Sequence, residues 1–341
     1  MIAADFRATM ERAGIDLAQF PNVSRGLAVA ETRLFDAREA LSEFGATANG
    51  YAVLAFGSLG RREFTSGSDL DLALVYDCAL LTDPTPVWAR IPEILKAAGF
   101  SVPGKTFGDP YEIGELTTNV GGDLEKNRSL TYRVLLLTEG EWLVAPVFAR
   151  ALYDRMIGVY RDAETTRGRY LTSLSNDLHR YYRTLCVDYR HKIEEQGKEW
   201  GIRYIKLRHS RKVWHLGNVC LECAAFLESM KRREGDGLHD GYLSEHLGDS
   251  PLHKIATTLE ILGRTRLMGP VLRAYDKFLG SLDDPQIRRE LEKVSFEEQA
   301  KSLVVRDLKE NADDLNRATI AVVRALLEAE CGDHLIRYGV L

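Results

Sequence analysis

Apolar positions early in the chain recur at helical spacing. Leu27, Ala30, Leu34, Ala37 and Leu41 mark one face of a helix over 25–44, and residues 3–13 read as a shorter helix before it. The period then changes. "YAVLAF" (51–56) and "DLALVY" (71–76) are short, almost wholly apolar runs of the kind that form strands buried on both faces. A polar segment, 57–68, separates them. The pattern predicts a helix near 90–98, with Pro92 in its first turn, and a weaker third strand over 111–120, "YEIGELTTNV". From about 128 onward the helical period persists. Leu171, Leu174, Leu178, Tyr182, Leu185 and Tyr189 form one stripe; another helix runs from about 203 to 229, and further ones fill 251–281 and 295–332. The expected fold is α+β: a small sheet-bearing domain with N-terminal helices over 1–160, then an all-α helical domain over 161–341.

Composition changes this picture little. With 45% apolar and 28% charged residues and a net charge of −5, the 341-residue chain reads as globular, and gives no overall argument for a polyanionic partner. No apolar run approaches the ~18 residues of a membrane span. The N-terminus, "MIAADFRATMERAGIDL", is charged and amphipathic, without a signal-peptide core. The five cysteines show no disulfide framework. Cys220 and Cys223 form a lone C-x-x-C inside an apolar helical pattern, and read as small buried residues one turn apart. These features predict a reduced, cytoplasmic protein without membrane contact.

The candidate chemistry lies between the two strands. Asp69 and Asp71 are two apart, so an extended backbone points both carboxylates to one face, where they repel. A dication removes that repulsion, and Mg2+ commonly takes one or two carboxylates plus substrate phosphates. Gly57-Ser58 sits where the first strand turns towards a helix, so that the backbone can approach a phosphate and Ser58 can donate to it. Arg61 and Arg62 add cations in the following turn. Gly-Ser for phosphates and Asp-x-Asp for the metal make one triphosphate site.

This order, an apolar strand, Gly-Ser, about ten residues, then Asp-x-Asp in an apolar strand, resembles the signature of the DNA polymerase β-like nucleotidyltransferases. The longer form "GSLGRREFTSGSDLDLALV", with Gly60-Arg61 and Glu63, looks most like the subgroup around the PII-protein uridylyltransferases and their shorter relatives. A looser resemblance extends through "NRSLTYRVLLLTEGEWL" (127–143). The resemblance implies a mixed-sheet nucleotidyltransferase domain, with Gly57 and Ser58 holding the nucleotide phosphates and Asp69 and Asp71 the metal, Mg2+ or alternatively Mn2+. Many members use a third carboxylate on a later strand. Asp109, Glu112, Glu115 and Asp123 are available for that role, and spacing does not choose among them; Glu115 lies within the third strand candidate. "LHD" (238–240) is a lone His-Asp pair and carries no catalytic weight.

A basic stretch supplies the other candidates. Between Arg161 and Trp214 there are 13 Lys and Arg against 7 Asp and Glu. Within it, Arg203, Lys206, Arg208, Arg211 and Lys212 include neighbours at i+3 and i+4 on one helix. Lys206 and Arg211 are expected to close over the triphosphate, Arg208 is left open, and an RNA acceptor is the other use of such a surface. Trp200 and Trp214 are expected to pack in the core. The expected activity is transfer of a nucleoside monophosphate from an NTP to a protein or tRNA acceptor, with release of pyrophosphate. The alternative is a non-catalytic nucleotide-binding regulatory module of the same fold.

Overall fold

A computed structural model describes residues 2–45, 48–103, 108–162, 172–195, 197, 199–232 and 238–340. Helices α1 (Ile2–Arg12), α2 (Pro21–Ala40) and α3 (Ser42–Gly45) precede strand β1 (Tyr51–Phe56). Strand β2 (Asp71–Tyr76), helix α4 (Thr85–Ala97), strand β3 (Tyr111–Glu112), helices α5 (Ile113–Thr117) and α6 (Asn127–Glu139), and strand β4 (Glu141–Val144) complete the α/β part. The remainder is helical: α7 (Pro146–Asp162), α8 (Thr172–Glu194), α9 (Trp200–Lys206), a π-helical turn (Leu207–Arg211) and α10 (Lys212–Arg232) come first. Then follow α11 (Leu238–His246), α12 (Pro251–Ile261), α13 (Met268–Asp283), α14 (Pro285–Lys293), α15 (Leu303–Leu327) and α16 (Gly332–Leu335). The sheet order is β3-β2-β1-β4. β1 runs antiparallel to β2 and β4, while β2 and β3 are parallel, so the sheet is mixed and the chain is α+β, as expected.

Both central strands are buried on two faces. Ala52, Leu54, Phe56, Ala73 and Val75 enter one core with α5 to α8, and Val53, Ala55, Leu72 and Leu74 enter another with α2 to α4. This period-2 division explains why the strands read as unbroken apolar runs. A third core gathers α1, the start of α2 and the helices after residue 200. Side chains from both sides of residue 160 share the first and third of these cores. Helix α10 is buried on two sides, with Trp214 and Leu221 in the sheet core and Val213, Leu216, Cys220 and Cys223 in the helical one. The C-x-x-C cysteines are free and buried, as expected.

Three local expectations change. The third strand is only Tyr111–Glu112; Ile113 and Leu116, one turn apart, are both buried, and the chain coils there instead. Helix α4 begins at Thr85, with Pro86 in its first turn and Pro92 in its interior. Strand β4 was hidden in a segment of helical period. Gly140 ends α6, because a Cβ there would come 2.3 Å from the Leu136 carbonyl oxygen, and the chain leaves extended into β4. No described helix is long and apolar enough to cross a membrane.

Gly60 tests how tightly the loop after β1 is seated. A Cβ there would lie 1.9 Å from the Glu139 carbonyl oxygen at the end of α6. Gly60→Ala is therefore expected to destabilise by about 2–4 kcal/mol in denaturant unfolding. Gly158, inside α7 with nothing within 4 Å of an added Cβ, gives the opposite sign: Gly158→Ala should stabilise by about 0.5–1 kcal/mol.

Candidate active site

Antiparallel pairing of β1 with β2 sets Phe56 opposite Asp71, so Gly57-Ser58 leaves β1 beside the residue that opens β2. Gly57 has φ +73, and an added Cβ would come 2.4 Å from Asp71 Oδ2. Only glycine fits there. The expected helix after Gly-Ser is a single turn: the Arg61 N–H donates to the Gly57 carbonyl (3.0 Å) and the Glu63 N–H to the Ser58 carbonyl (2.9 Å). With no helix there is no summed dipole to hold an anion. Attraction for phosphate must come from side chains.

Those side chains line one cleft of about 120 Å3, formed by Ser58, Asp69 and Asp71 on the sheet side and by Lys206, Arg211 and Arg288 on the helical side. Asp69 lies two residues before β2 rather than within it, exposed, and accepts a hydrogen bond from Ser101 Oγ (2.6 Å). Asp71 is half-buried. Burial pushes its carboxyl up to about 6, against the pull of Arg61, Arg211 and Lys206. Among the described residues, Asp71, Ser58 and Lys206 form no side-chain hydrogen bond or ion pair. A half-buried carboxylate with no partner among the described residues, two residues from a second one facing the same cleft, is a donor set that fits a hard dication.

Lys206 and Arg211 reach the cleft from the end of α9 and the end of the π turn. Five residues apart, they would sit about 140° apart around an α-helix; the wider π turn brings them to one face. His209 anchors that turn. It is fully buried, stacked on Phe278, with Nδ1 2.9 Å from the Ile205 carbonyl and Nε2 3.1 Å from Asn311 Nδ2. Burial lowers its pKa to about 4, so it is neutral, with Nδ1 the donor and Nε2 the acceptor. Burial, with Arg288 and Arg211 nearby, lowers Lys206 to about 8. Arg288, on α14, was missed in the sequence, where it reads as one arginine of a charged helix. Its guanidinium packs over Gly67 and its Nε donates to Glu292 (3.1 Å).

The other arginines do different work. Arg61 is enclosed by two carboxylates, Glu63 (2.5 Å) and Glu139 (2.7 Å), and its pKa rises because these outweigh its burial. Glu63 also accepts hydrogen bonds from Ser210 Oγ (2.7 Å) and from the Tyr275 hydroxyl; Glu139 accepts from the Gly57 N–H (3.1 Å) and lies 3.5 Å from Arg211. Arg61 also lines the cleft, and these two carboxylates hold its guanidinium so that it braces the site. Arg62 turns to Glu141 on β4 (2.5 Å). Arg208 pairs with Asp313 (2.5 Å) and Lys212 donates to Asn316 (2.8 Å), both on α15 and away from the cleft. Trp214 is buried against Thr138, and Trp200 stacks on Tyr204.

None of the four candidates for a third carboxylate lines the cleft. Glu112 pairs with Tyr76 at the far end of β2, about 17 Å along the strand from Asp71 at ~3.3 Å per residue. Asp109, before β3, and Glu115 and Asp123, after it, are exposed. Asp77, Cys78 and Glu112 bring three donor atoms within 4.8 Å at that far end, where Asp77 is already paired with Arg155 (2.7 Å). The side chains of His239 and Asp240 lie outside the described residues.

Residues 5–106 match the family model described as "Putative nucleotidyltransferase DUF294". This match supports assignment of this part of the chain to the nucleotidyltransferase superfamily. The match covers the loop, both aspartates and the β1–β2 pair, and supports a general nucleotidyltransfer role. The cations of the helical part lie beyond it. No curated protein matches the chain.

The raised pKa of Asp71 sets a sign. An acid whose folded pKa lies above its unfolded value destabilises the fold once ionised, so stability falls as pH rises from about 4 to about 6 and stays lower above that. Metal-free Asp71→Asn is therefore expected to be more stable than wild type at pH 7.5, by about 1–3 kcal/mol, with the difference vanishing below pH 4. Mg2+ should raise the melting temperature of wild type and leave that of Asp71→Asn unchanged.

Proposed function

We propose that the chain is a divalent-metal-dependent nucleotidyltransferase that moves a nucleoside monophosphate from an NTP to a protein acceptor, with tRNA the second choice. The observation that carries this reading is the facing of Asp69, Asp71 and Ser58 by Lys206, Arg211 and Arg288 across one cleft. Its volume suits a phosphate chain and not a whole nucleotide, so base and sugar extend to the mouth. Asp69 is exposed at that mouth, and the acceptor enters there. A non-catalytic role leaves the unpartnered Asp71 unexplained.

The acceptor hydroxyl oxygen bonds to the α-phosphorus and gives up its proton to solvent water at the mouth of the cleft. The bond from that phosphorus to its bridging oxygen breaks, and pyrophosphate leaves with the electron pair. Lys206, Arg211 and Arg288 hold the leaving phosphates and offset their growing charge. Ser58 donates to a phosphate oxygen. Asp69 and Asp71 would hold Mg2+, or Mn2+, which would supply Lewis-acid polarisation of the reacting oxygens when bound. Arg61 and Glu139 keep the Gly57 loop in place beneath the phosphates. A protein acceptor is preferred because Arg208 and Lys212 of the basic helix are engaged by Asp313 and Asn316 of α15 and are not free to track an RNA backbone.

The test supplies labelled NTPs, Mg2+ and cell extract. Label on the acceptor should be removed by protease and not by RNase, and Asp69→Asn or Asp71→Asn should abolish it; normal transfer by either variant overturns the reading. Lys206→Ala and Arg288→Ala should each weaken NTP binding about tenfold or more, the scale of a charge-assisted hydrogen bond, while Arg208→Ala changes it less than twofold.

The lowered pKa of Lys206 adds a pH dependence. Loss of its proton removes a cation from the triphosphate, so NTP affinity should fall as pH rises through about 8. Lys206→Arg should keep its affinity at pH 9, measured by titration calorimetry.

A further inference from the structure

Lys206 differs from every other lysine withdrawn from solvent among the described residues. The others donate to a fixed acceptor: Lys192 to Asp188 (2.5 Å), Lys212 to Asn316 (2.8 Å), Lys254 to Asn218 (3.0 Å) and Lys309 to Gln299. Lys206 lines the cleft, half-buried, with no hydrogen bond or ion pair among the described residues. Its amine is not among the unpartnered polar atoms sealed inside the fold, so it keeps surface open to the cleft.

The charges that face this amine come from four elements. Arg211 ends the π turn, Arg288 comes from α14, Asp69 and Asp71 stand at the start of β2, and Arg61 with Glu63 lies on the loop after β1. Helix α13 adds only apolar side chains. Glu63 is already occupied by Arg61, Ser210 and Tyr275. Burial and the neighbouring arginines loosen the proton on Lys206, the condition under which a lysine becomes a nucleophile. Arg211 and Arg288 also attract phosphate. An electrophile that carries a phosphate would be held with its reactive carbon beside an amine free to attack it.

We infer that Lys206 is a self-acylation site for small acyl phosphates, and that its acylation shuts the cleft to NTP. The ammonium gives one proton to water. Its nitrogen then bonds to the acyl carbon, and the bond from that carbon to the phosphate oxygen breaks. Inorganic phosphate leaves with the electron pair and takes the second proton from nitrogen. The product is a neutral amide, so the helical wall loses one of its three cations and NTP affinity falls. A two-carbon acyl phosphate is smaller than the triphosphate chain assigned to the cleft, and bound triphosphate excludes it. This role rests on the cleft being a phosphate site, as proposed above, and not on transfer to any acceptor.

Acetyl phosphate serves as the probe against the full chain, with the acetyl thioester of N-acetylcysteamine as a donor that lacks phosphate; peptide mass spectrometry reads each lysine. Acetyl phosphate should acylate Lys206 at least tenfold faster than the exposed Lys96, Lys126 and Lys301, and the thioester should show no such preference. Pyrophosphate should slow the reaction at Lys206 about tenfold or more, as should Arg288→Ala, with the three exposed lysines unchanged. The acylated chain should bind NTP at least tenfold more weakly by calorimetry. The inference is overturned if Lys206 reacts no faster than the exposed lysines, if the thioester shows the same preference, if neither pyrophosphate nor Arg288→Ala slows the reaction, or if acylation leaves NTP affinity unchanged. An unreactive Lys206 in a chain that still binds pyrophosphate overturns the acylation alone. Loss of pyrophosphate binding as well overturns the phosphate reading of the cleft with it.

Discussion

Arg61, buried between Glu63 and Glu139, is the interaction on which the site depends. A charge removed from water is tolerated only when it is paired and its remaining donors are satisfied, and loss of one partner from such a group typically costs about 3–5 kcal/mol. The requirement reaches far along the chain. Glu63 brings in Ser210 of the π turn and Tyr275 of α13, while Glu139 brings in the Gly57 N–H and Arg211. One guanidinium thereby fixes the loop after β1, the end of α6 and the helical wall of the cleft relative to each other.

This bracing separates two kinds of charged group. Arg61, Arg62, Glu63, Glu139 and Arg208 are all engaged with partners inside the protein. Asp71, Ser58 and Lys206 are held at the cleft without side-chain partners among the described residues. Opposite charges across a gap, each displaced from its ordinary pKa by burial, store an electrostatic demand that a metal and a triphosphate would meet together.

Much of this was legible in the sequence. The two apolar strands, the Gly-Ser turn, the Asp-x-Asp pair and the helical second half follow from local periodicity and turn chemistry, because those patterns act over a few residues. Lys206 and Arg211 were legible as members of a basic helix. Their shared facing was not, since it needs a π turn that sequence spacing does not announce, and that turn is held by a neutral His209 wedged between Phe278 and Asn311, far along the chain.

Tertiary structure decided the rest, for one reason: the partner that settles a charged residue's role is distant in sequence. Arg61 reads in the sequence as a free cation, whereas in the fold Glu139, 78 residues on, pairs with it. Arg288 looked like one arginine among several on a charged helix until α14 was seen to pack over Gly67. The third-carboxylate candidates looked equivalent until strand pairing put Glu112 at the wrong end of β2. The sequence by itself determined which residues could do the chemistry, because side-chain type and local spacing are properties of a short segment. Only the fold decided which of them are free to do it, because pairing and burial depend on what the rest of the chain brings alongside.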